Sequence, residues 1–402
     1  MILFNDEQEK LISEAIDWYN NSSEQVFQIS GSAGTGKTTV LKEIINRLKL
    51  VQEEVAPMAY TGAAAIVLRT KGFYNSKTIH SWFYKAIEVP DLDRYNAYLD
   101  RYETKTIFVP KEIPECIKLV CIDEAGTVPM KMRDVILNSH KKIIALGDLN
   151  QLPPVSDSPA FLYSGDIHTL TKIMRQNEGS GIVYLANEIL KGHTIKEGNY
   201  GNATVITPND ITDDMIKESD IILCGLNKTR TIYNDKCREL NGIDPKQKLP
   251  SHGEKIICRK NNWEYEVDGI SMANGLCGEV VNYPSLHSLV SKGNGFKIDF
   301  KPTMFDMEFV DILCSYNFFN ANKDKKDLIR QSPSYRRKHG IIGNLFELGY
   351  AITTHLSQGS QYRKGIYIAE YMRRDITKNL DYVGITRFSD NCIFVLRKNK
   401  FF

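Results

Sequence analysis

The sequence predicts an α/β protein of two parallel-sheet lobes, each interrupted by a smaller insertion. Three observations carry that reading. Apolar runs of strand length recur at 26–29, 119–122, 143–146, 221–224, 366–369 and 392–396, each ending in polar or glycine-rich residues. Helical patterns separate many of them, as at 38–48 and 228–240. Alternation of buried strands with helices is the pattern of parallel α/β sheets. The strand-bearing segments also fall into two groups, before about residue 190 and after about 203, which predicts two lobes.

Two stretches break the alternation. Residues 83–113 carry charge and tyrosines, with Pro90 and Pro110 inside and Pro114 just beyond. Residues 255–345 show short strand-like runs with turn signals at Asn274-Gly275 and Gly293-Asn294-Gly295. The expected division is therefore a first lobe over 1–82 and 114–190, with a small insertion at 83–113. A second lobe covers 191–254 and 346–402, with a β-rich insertion at 255–345.

Composition excludes more than it identifies. The chain has 402 residues, 42% of them hydrophobic, enough for two or three domains with real cores. No apolar run approaches the roughly 18 residues of a membrane span. The first residues, Met1 to Glu7, lack the basic region and apolar core of a secretory leader. The eight cysteines are scattered with no Cys-x-x-Cys pair, which argues against a zinc site and for a reducing cytoplasm. A net charge of +2 is too small to argue for nucleic acid by itself.

The motifs are more specific. Gly31 to Thr38 fits G-x-x-x-x-G-K-[ST] at every fixed position, after a strand-like run and before a helical pattern. Its glycines let backbone N–H groups turn toward phosphate oxygens, and the helix aims its positive end at the same anion. Gly34, Thr35, Gly36, Lys37, Thr38 and Thr39 are the expected nucleotide contacts. Lys37 would reach the terminal phosphates and the Thr38 hydroxyl would ligate Mg²⁺. Asp123-Glu124 end the next buried run, where such sheets bind ligands. Asp123 suits the metal, and Glu124 suits the base that activates the attacking water. Asp148 and Gln151 end a third run, in Gly147 to Pro154. The amide of Gln151 could sense the γ-phosphate, and the Pro153-Pro154 pair could equally hold a rigid turn.

Taken together, these motifs resemble the RecD-like and Pif-type helicases, the 5′-to-3′ branch of superfamily 1, including its compact phage members. The resemblance runs from about residue 4 to 396. It implies two RecA-like P-loop lobes, a pin-like insertion in the first and an SH3-like insertion in the second. It implies ATP and Mg²⁺ as cofactors. Single-stranded DNA and forked duplex are the implied partners, with single-strand-binding or replication proteins as candidate associates. It also implies a monomer, working in bacterial or phage-infected cytoplasm.

Residue by residue, Asn5-Asp6-Glu7-Gln8 resembles the motif whose glutamine recognises adenine, although Asn5 and Gln8 also fit a helix capping box. Thr61 and Gly62 in Ala59 to Ala65, and Thr78 and His80 in Lys77 to Ser81, match elements that grip DNA. The Gly147 to Val155 motif includes Pro154, a further expected DNA contact. Arg175, and Arg387 in Tyr382 to Arg387, match the two arginines that reach the γ-phosphate. Thr353 and His355 would face DNA while Gln358 and Gly359 face nucleotide. Leu356 stands where the family usually has lysine, which puts the strength of coupling in doubt. Phe108 is the candidate aromatic that stacks on the base pair at a fork, with Tyr102 next. In the second insertion, the clusters at 323–326 and 336–338 could contact phosphates, and Tyr316, Phe318, Phe319 and Tyr335 could stack on bases; a solvated loop over an aromatic core fits equally. A nucleic-acid-stimulated translocase that separates no strands is the alternative reading.

Overall fold

The computed structural model describes residues 3–96, 101–154, 157–172, 180–267, 270–282, 295–372 and 374–397. Two compact units emerge. The first comprises residues 1–60, 64–149 and 153–175; the second comprises 61–63, 150–152 and 176–402.

The first unit begins with α1 (Asp6–Asn21), then β1 (Val26–Gly31), α2 (Lys37–Arg47), β2 (Val55–Ala59), α3 (Gly62–Thr70), β3 (Lys77–Thr78) and α4 (Ile79–Phe83). A ribbon of β4 (Tyr84–Asn96) and β5 (Arg101–Pro110) follows. The chain then returns through β6 (Leu119–Asp123), α5 (Arg133–Leu137), β7 (Lys142–Gly147) and β8 (Ile167–Leu170). Six of these strands form one sheet in the order β3-β2-β6-β7-β1-β8. Every pairing in it is parallel. The central strands are buried on both faces, which is why they read as unbroken apolar runs. One core packs α1 and α2 against β1, through Leu11, Ile12, Ile29, Val40 and Ile44. Another covers the opposite face through Trp82, Val120, Ile122, Ile143 and Phe161. All C-terminal strand ends therefore share one edge, where ligands of such sheets collect.

The β4–β5 ribbon is a two-stranded antiparallel sheet, with Ala86 opposite Phe108 and Tyr84 opposite Pro110. Phe108 is 52% exposed, and Ile107 and Val109 are also exposed.

The second unit continues with α6 (Gly181–Lys191), β9 (Gly198–Asn199), β10 (Ala203–Ile206), α7 (Asp213–Glu218), β11 (Ile221–Cys224) and α8 (Asn227–Leu240). Strands β12 (Lys255–Cys258), β13 (Asn262–Val267), β14 (Ile270–Met272), β15 (Cys277–Val280), β16 (Gly295–Pro302) and β17 (Phe309–Ser315) come next. Three helices follow, α9 (Tyr316–Phe319), α10 (Lys323–Gln331) and α11 (Pro333–Lys338). The chain closes with β18 (Phe346–Leu348), β19 (Ala351–Thr353), β20 (Tyr362–Ile368), α12 (Arg374–Ile385) and β21 (Phe388–Val395). A second six-stranded sheet runs β19-β11-β20-β21-β10-β9, parallel except at its β9 edge. A separate antiparallel sheet of five strands runs β17-β16-β15-β12-β18.

Residues 316–338, read from sequence as part of a β-rich stretch, are helical. Asn322 caps α10 by accepting from the Lys325 N–H. Phe318 is fully buried and packs with Ile329 and Leu345, and Phe319 is nearly so. These two rings belong to a core, not to a stacking platform.

Candidate nucleotide site

Between β1 and α2 the chain makes a tight turn that only glycine tolerates at two points. Gly34 and Gly36 have φ of 87° and 85°, in the left-handed region closed to most side chains. Thr35, fully buried, ties the turn together: its N–H and its hydroxyl both donate to the Ser32 carbonyl, at 3.3 and 3.0 Å. Lys37, the first residue of α2, folds back so that its ammonium donates to the carbonyls of Gly31 and Ser32, the latter at 3.1 Å. Burial lowers its pKa, and the carboxylates of Asp148, Glu124 and Asp123 pull it back up. Thr38 and Thr39 follow in the first turn of the same helix, both half-buried.

Gln8 meets this turn from α1. Asn5 and Gln8 form a reciprocal capping box, with Gln8 N–H to Asn5 Oδ1 at 2.9 Å and Asn5 N–H to Gln8 Oε1 at 3.2 Å. The Gln8 amide nitrogen then donates to the Thr35 carbonyl at 3.1 Å. Cap and nucleotide turn are thus joined by one buried side chain.

The acidic pair lies on the same sheet edge. Asp123 ends β6, paired with Ala59 of β2. Burial raises its pKa; Lys71 and Lys37 act against that, and Glu124 adds to it. Glu124 sits in the left-handed region at φ 52° and ψ 39°, an outlier for a residue with a side chain. Its N–H donates to Asp123 Oδ1 at 3.0 Å, and its carbonyl accepts from the Thr127 N–H and hydroxyl at 2.9 and 2.7 Å. Such a backbone costs about 1–2 kcal/mol and needs the surrounding structure to hold it. Asp148, buried, ends β7 just after Gly147. A Cβ at Gly147 would come within 3.3 Å of the Ala125 and Gly126 nitrogens, so glycine lets the two strand ends approach.

The structure thus brings Gln8, Lys37, Asp123, Glu124 and Asp148 to one edge of the first sheet. It adds Lys71, which no motif singled out. The Lys71 ammonium donates to Thr38 Oγ1 at 3.4 Å, and its charge acts on Asp123 more strongly than that of Lys37. Lys71 follows α3 directly, and its approach depends on a helix length that sequence spacing does not encode.

The hydroxyl of Thr38 and the carboxylate of Asp123 are hard oxygen ligands suited to Mg²⁺. Among the described residues no three His, Cys, Asp or Glu side chains converge to hold a metal by themselves. An ion here would take its remaining ligands from phosphate and water, as Mg²⁺ normally does.

Other expected residues lie elsewhere. Thr78 is buried and caps α4 by accepting from the Ser81 N–H at 3.1 Å. His80 lies between the rings of Tyr60 and Tyr84, with centroids at 6.0 and 5.6 Å. Burial, then the charge of Lys131, lowers its pKa. Pro154 is half-buried. Thr61, Gly62 and Gln151 group with the second unit. A Cβ at Gly62 would fall 2.2 Å from Ala273 Cβ, which accounts for glycine there.

In the second unit, Thr353 ends β19 and His355 follows, its pKa lowered by burial. Gln358 donates to the Leu152 carbonyl at 3.1 Å, and Gly359 has φ 79°. Arg387 is buried, its Nε donating to the Val383 carbonyl and its Nη1 to that of Ser360, both at 3.3 Å. Arg175 lies outside the described residues, and of Tyr102 only the backbone is described.

A strand, a left-handed glycine turn, a helix-borne lysine and an acidic pair on a neighbouring strand end define a P-loop nucleotide-binding unit. The chain belongs to the AAA-domain family, whose model matches residues 3–207. An uncharacterized protein of Methanocaldococcus jannaschii is 25% identical over 95% of this chain, which spans 38% of that protein. The ATP-dependent DNA helicase dda of Enterobacteria phage T4 is 29% identical over 41% of this chain and 37% of its own, a partial likeness. The crystal structure of Pif1 helicase from Candida albicans superposes with a TM-score of 0.54 at 19% identity, over 99% of this chain and 95% of that one. The two-lobe RecA-like fold and the Pif-type resemblance expected from sequence are both met.

Proposed function

We propose that this chain is an ATP-driven DNA helicase that moves 5′ to 3′ on single-stranded DNA and unwinds duplex. The observation that carries the reading is the shared edge of the first sheet, where Lys37, Thr38, Asp123, Glu124 and Asp148 lie together around a glycine turn. Relatives support the second half of it. The ATP-dependent DNA helicase PIF1 of Saccharomyces cerevisiae is 32% identical over 39% of this chain. A solved Pif1 from Bacteroides, bound to single-stranded DNA, has the same fold, with a TM-score of 0.54.

In this reading residues 1–82 and 114–175 form the ATP-binding lobe, 83–113 a pin, 176–254 and 346–402 the second lobe, and 255–345 an SH3-like insertion; the first lobe stops short of the expected residue 190 because α6 packs in the second unit's core. The turn at Gly34 to Thr39 cradles the phosphates, and Gln8 lies against the adenine end. Thr38 and Asp123 hold Mg²⁺, which neutralises charge on the β- and γ-phosphates when bound. Glu124 accepts a proton from the attacking water, Gln151 orients the terminal phosphate, and Gln358 and Gly359 face nucleotide. Arg387 exchanges its two long carbonyl bonds for the γ-phosphate, and Arg175 supplies the second guanidinium. A guanidinium on that oxyanion stabilises the charge that builds as the bond breaks. Thr61, Gly62, Thr78, His80, Pro154, Thr353 and His355 line the DNA track.

Strand separation, as opposed to translocation alone, is favoured by the exposed Phe108 on the β4–β5 ribbon. A ring presented to solvent can stack on a base pair at a fork. The protein works as a monomer in the cytoplasm; no helix among the described residues is long and apolar enough to cross a membrane.

The decisive experiment compares unwinding of 5′-tailed and 3′-tailed forks by wild type and Lys37→Ala. Unwinding of the 5′-tailed fork alone, lost in the variant, is expected. ATP hydrolysis without unwinding of either fork would leave the translocase, and a rate indifferent to DNA would end both.

A further inference from the structure

At one place in the second unit positive charge gathers beyond what the described residues neutralise. Arg230 from α8, Arg259 just after β12, and Lys326 from α10 converge on one carboxylate, Glu347 of β18. The distances are 2.5 Å from Arg230 Nη1, 3.4 Å from Arg259 Nε and 3.5 Å from Lys326 Nζ. The four side chains are only 12%, 10%, 18% and 6% exposed, in the same order. Among the described residues three cations face one anion, an excess of two charges in a largely dry place. Burial lowers the pKa of Arg259, with Arg330 and Arg230 adding to the effect against the pull of Glu347.

The hydrogen bonds carry the same message. Nε of Arg230 and both Nε and Nη1 of Arg259 are buried and make no hydrogen bond among the described residues, Arg259 Nε meeting the Glu347 carboxylate only as an ion pair. Leaving guanidinium N–H groups unpaired in the interior is costly. Native proteins rarely sustain three such orphans side by side. A planar guanidinium fork is shaped for two oxygens of one oxyanion, and two forks with an ammonium suit a tetrahedral one.

We propose that Arg230, Arg259 and Lys326 form a phosphate-binding site, with Glu347 holding the three cations in place. Its ligand is a phosphate group carrying enough negative charge to offset the excess. Two sources have that chemistry: a backbone phosphodiester of bound single-stranded DNA, and free inorganic phosphate. The DNA source rests on the helicase reading; the free-phosphate source does not. Lys326, the most exposed of the three and 5.7 Å from the Phe318 ring centroid, forms the entrance.

The test uses the full chain as wild type, Arg259→Met and Lys326→Met. Thermal midpoints are measured in sodium phosphate and in sodium chloride at equal ionic strength. Phosphate should raise the wild-type midpoint, and each variant should need roughly tenfold more phosphate for the same rise. In chloride Arg259→Met should melt no lower than wild type, because it removes an unmatched buried charge. Should that variant fail to fold, Lys326→Met carries the same comparison from the rim. A second arm measures oligo-dT affinity against salt. If the source is the DNA backbone, the slope of log affinity against log salt falls by about 0.7 in each variant. If it is free phosphate, the slope holds and only the thermal response changes. Equal midpoints in both salts, with unchanged slopes in the variants, would overturn the site. Loss of ATPase activity in wild type would count against the helicase reading alone.

Discussion

Two strand-to-helix turns, one in each unit, treat negative charge in opposite ways. In the second unit β11 runs through Gly225 and Leu226 into α8, whose N-cap has no side-chain bond of its own. The carboxylate of Glu370, just beyond β20, fills that place. It accepts from the N–H groups of Gly225 and Leu226 at 2.7 Å each and from the Thr229 hydroxyl. A helix start attracts an anion, and here the protein supplies one. In the first unit β1 runs into α2, whose N-cap, Gly36, likewise gives no side-chain bond. There the carboxylates of Asp123, Glu124 and Asp148 act on the half-buried Lys37 instead. The same local architecture is a structural joint where it carries its own anion. Where it carries a lysine faced by acids from neighbouring strand ends, it is suited to receive one.

The largest effect should come from the acid. Glu124→Gln should lower DNA-stimulated turnover by about 10²–10⁴-fold while nucleotide still binds, because only the proton acceptor is lost. Steady-state ATPase beside fluorescent-nucleotide binding separates the two, and full activity in the variant would remove Glu124 from the chemistry. Lys37→Ala should follow, at about 10²–10³-fold in turnover. Its thermal midpoint should change little, because the ammonium's desolvation opposes its bonds to the Gly31 and Ser32 carbonyls and its attraction to the nearby carboxylates. A large loss of stability would make Lys37 a structural residue like Glu370.

The second unit should respond in stability rather than in turnover. Burial would raise the carboxyl of Glu347, but Arg259, Lys326 and Arg230 outweigh it and hold its pKa at about 2. A depressed carboxyl contributes stability above its unfolded value, near pH 4.3, and loses it as pH falls toward 2. The contribution is about 3 kcal/mol at neutral pH. The stability gap between wild type and Glu347→Gln should therefore be widest at neutral pH and close between pH 4.5 and 2. A gap independent of pH would show that packing, not charge, is what Glu347 supplies. Glu370→Ala should cost about 2 kcal/mol in denaturant unfolding, by orphaning the start of α8. An unchanged midpoint would dissolve the contrast between the two turns.

The contrast also marks what sequence can and cannot convey. The glycine turn was legible because its function fixes spacing over eight consecutive residues, and Asp123 because a buried strand must end in it. The parallel strands were legible because double-sided burial leaves unbroken apolar runs. Glu370, Lys71 and the convergence of Arg230, Arg259 and Lys326 on Glu347 were not, although Lys326 lies in the 323–326 cluster read as a possible phosphate contact. Their partners are 117 residues apart in the case of Arg230 and Glu347, and no local pattern records which distant side chain meets which. The helices at 316–338 were missed for a related reason. The strand-like runs and turns at 274–275 and 293–295 carried the β-rich reading across the whole of 255–345, and side-chain caps such as Asn322 favoured helix over 316–338 instead.

The smallest effect tests the strain itself. Glu124 holds a left-handed backbone, while its neighbours Asp123 and Thr127 bond to its N–H and carbonyl. If the protein stores energy there to aim the carboxylate, a residue that tolerates the conformation should relieve it. Asparagine does so better than glutamine, and both lack the acid. Glu124→Asn should thus be more stable than Glu124→Gln by about 0.5–1 kcal/mol, with both equally inactive. Because each replaces the charge with an amide, the difference isolates the backbone from the loss of the carboxylate. Equal unfolding midpoints would mean that the turn imposes the left-handed shape at no cost, and that the acid is aimed by packing alone.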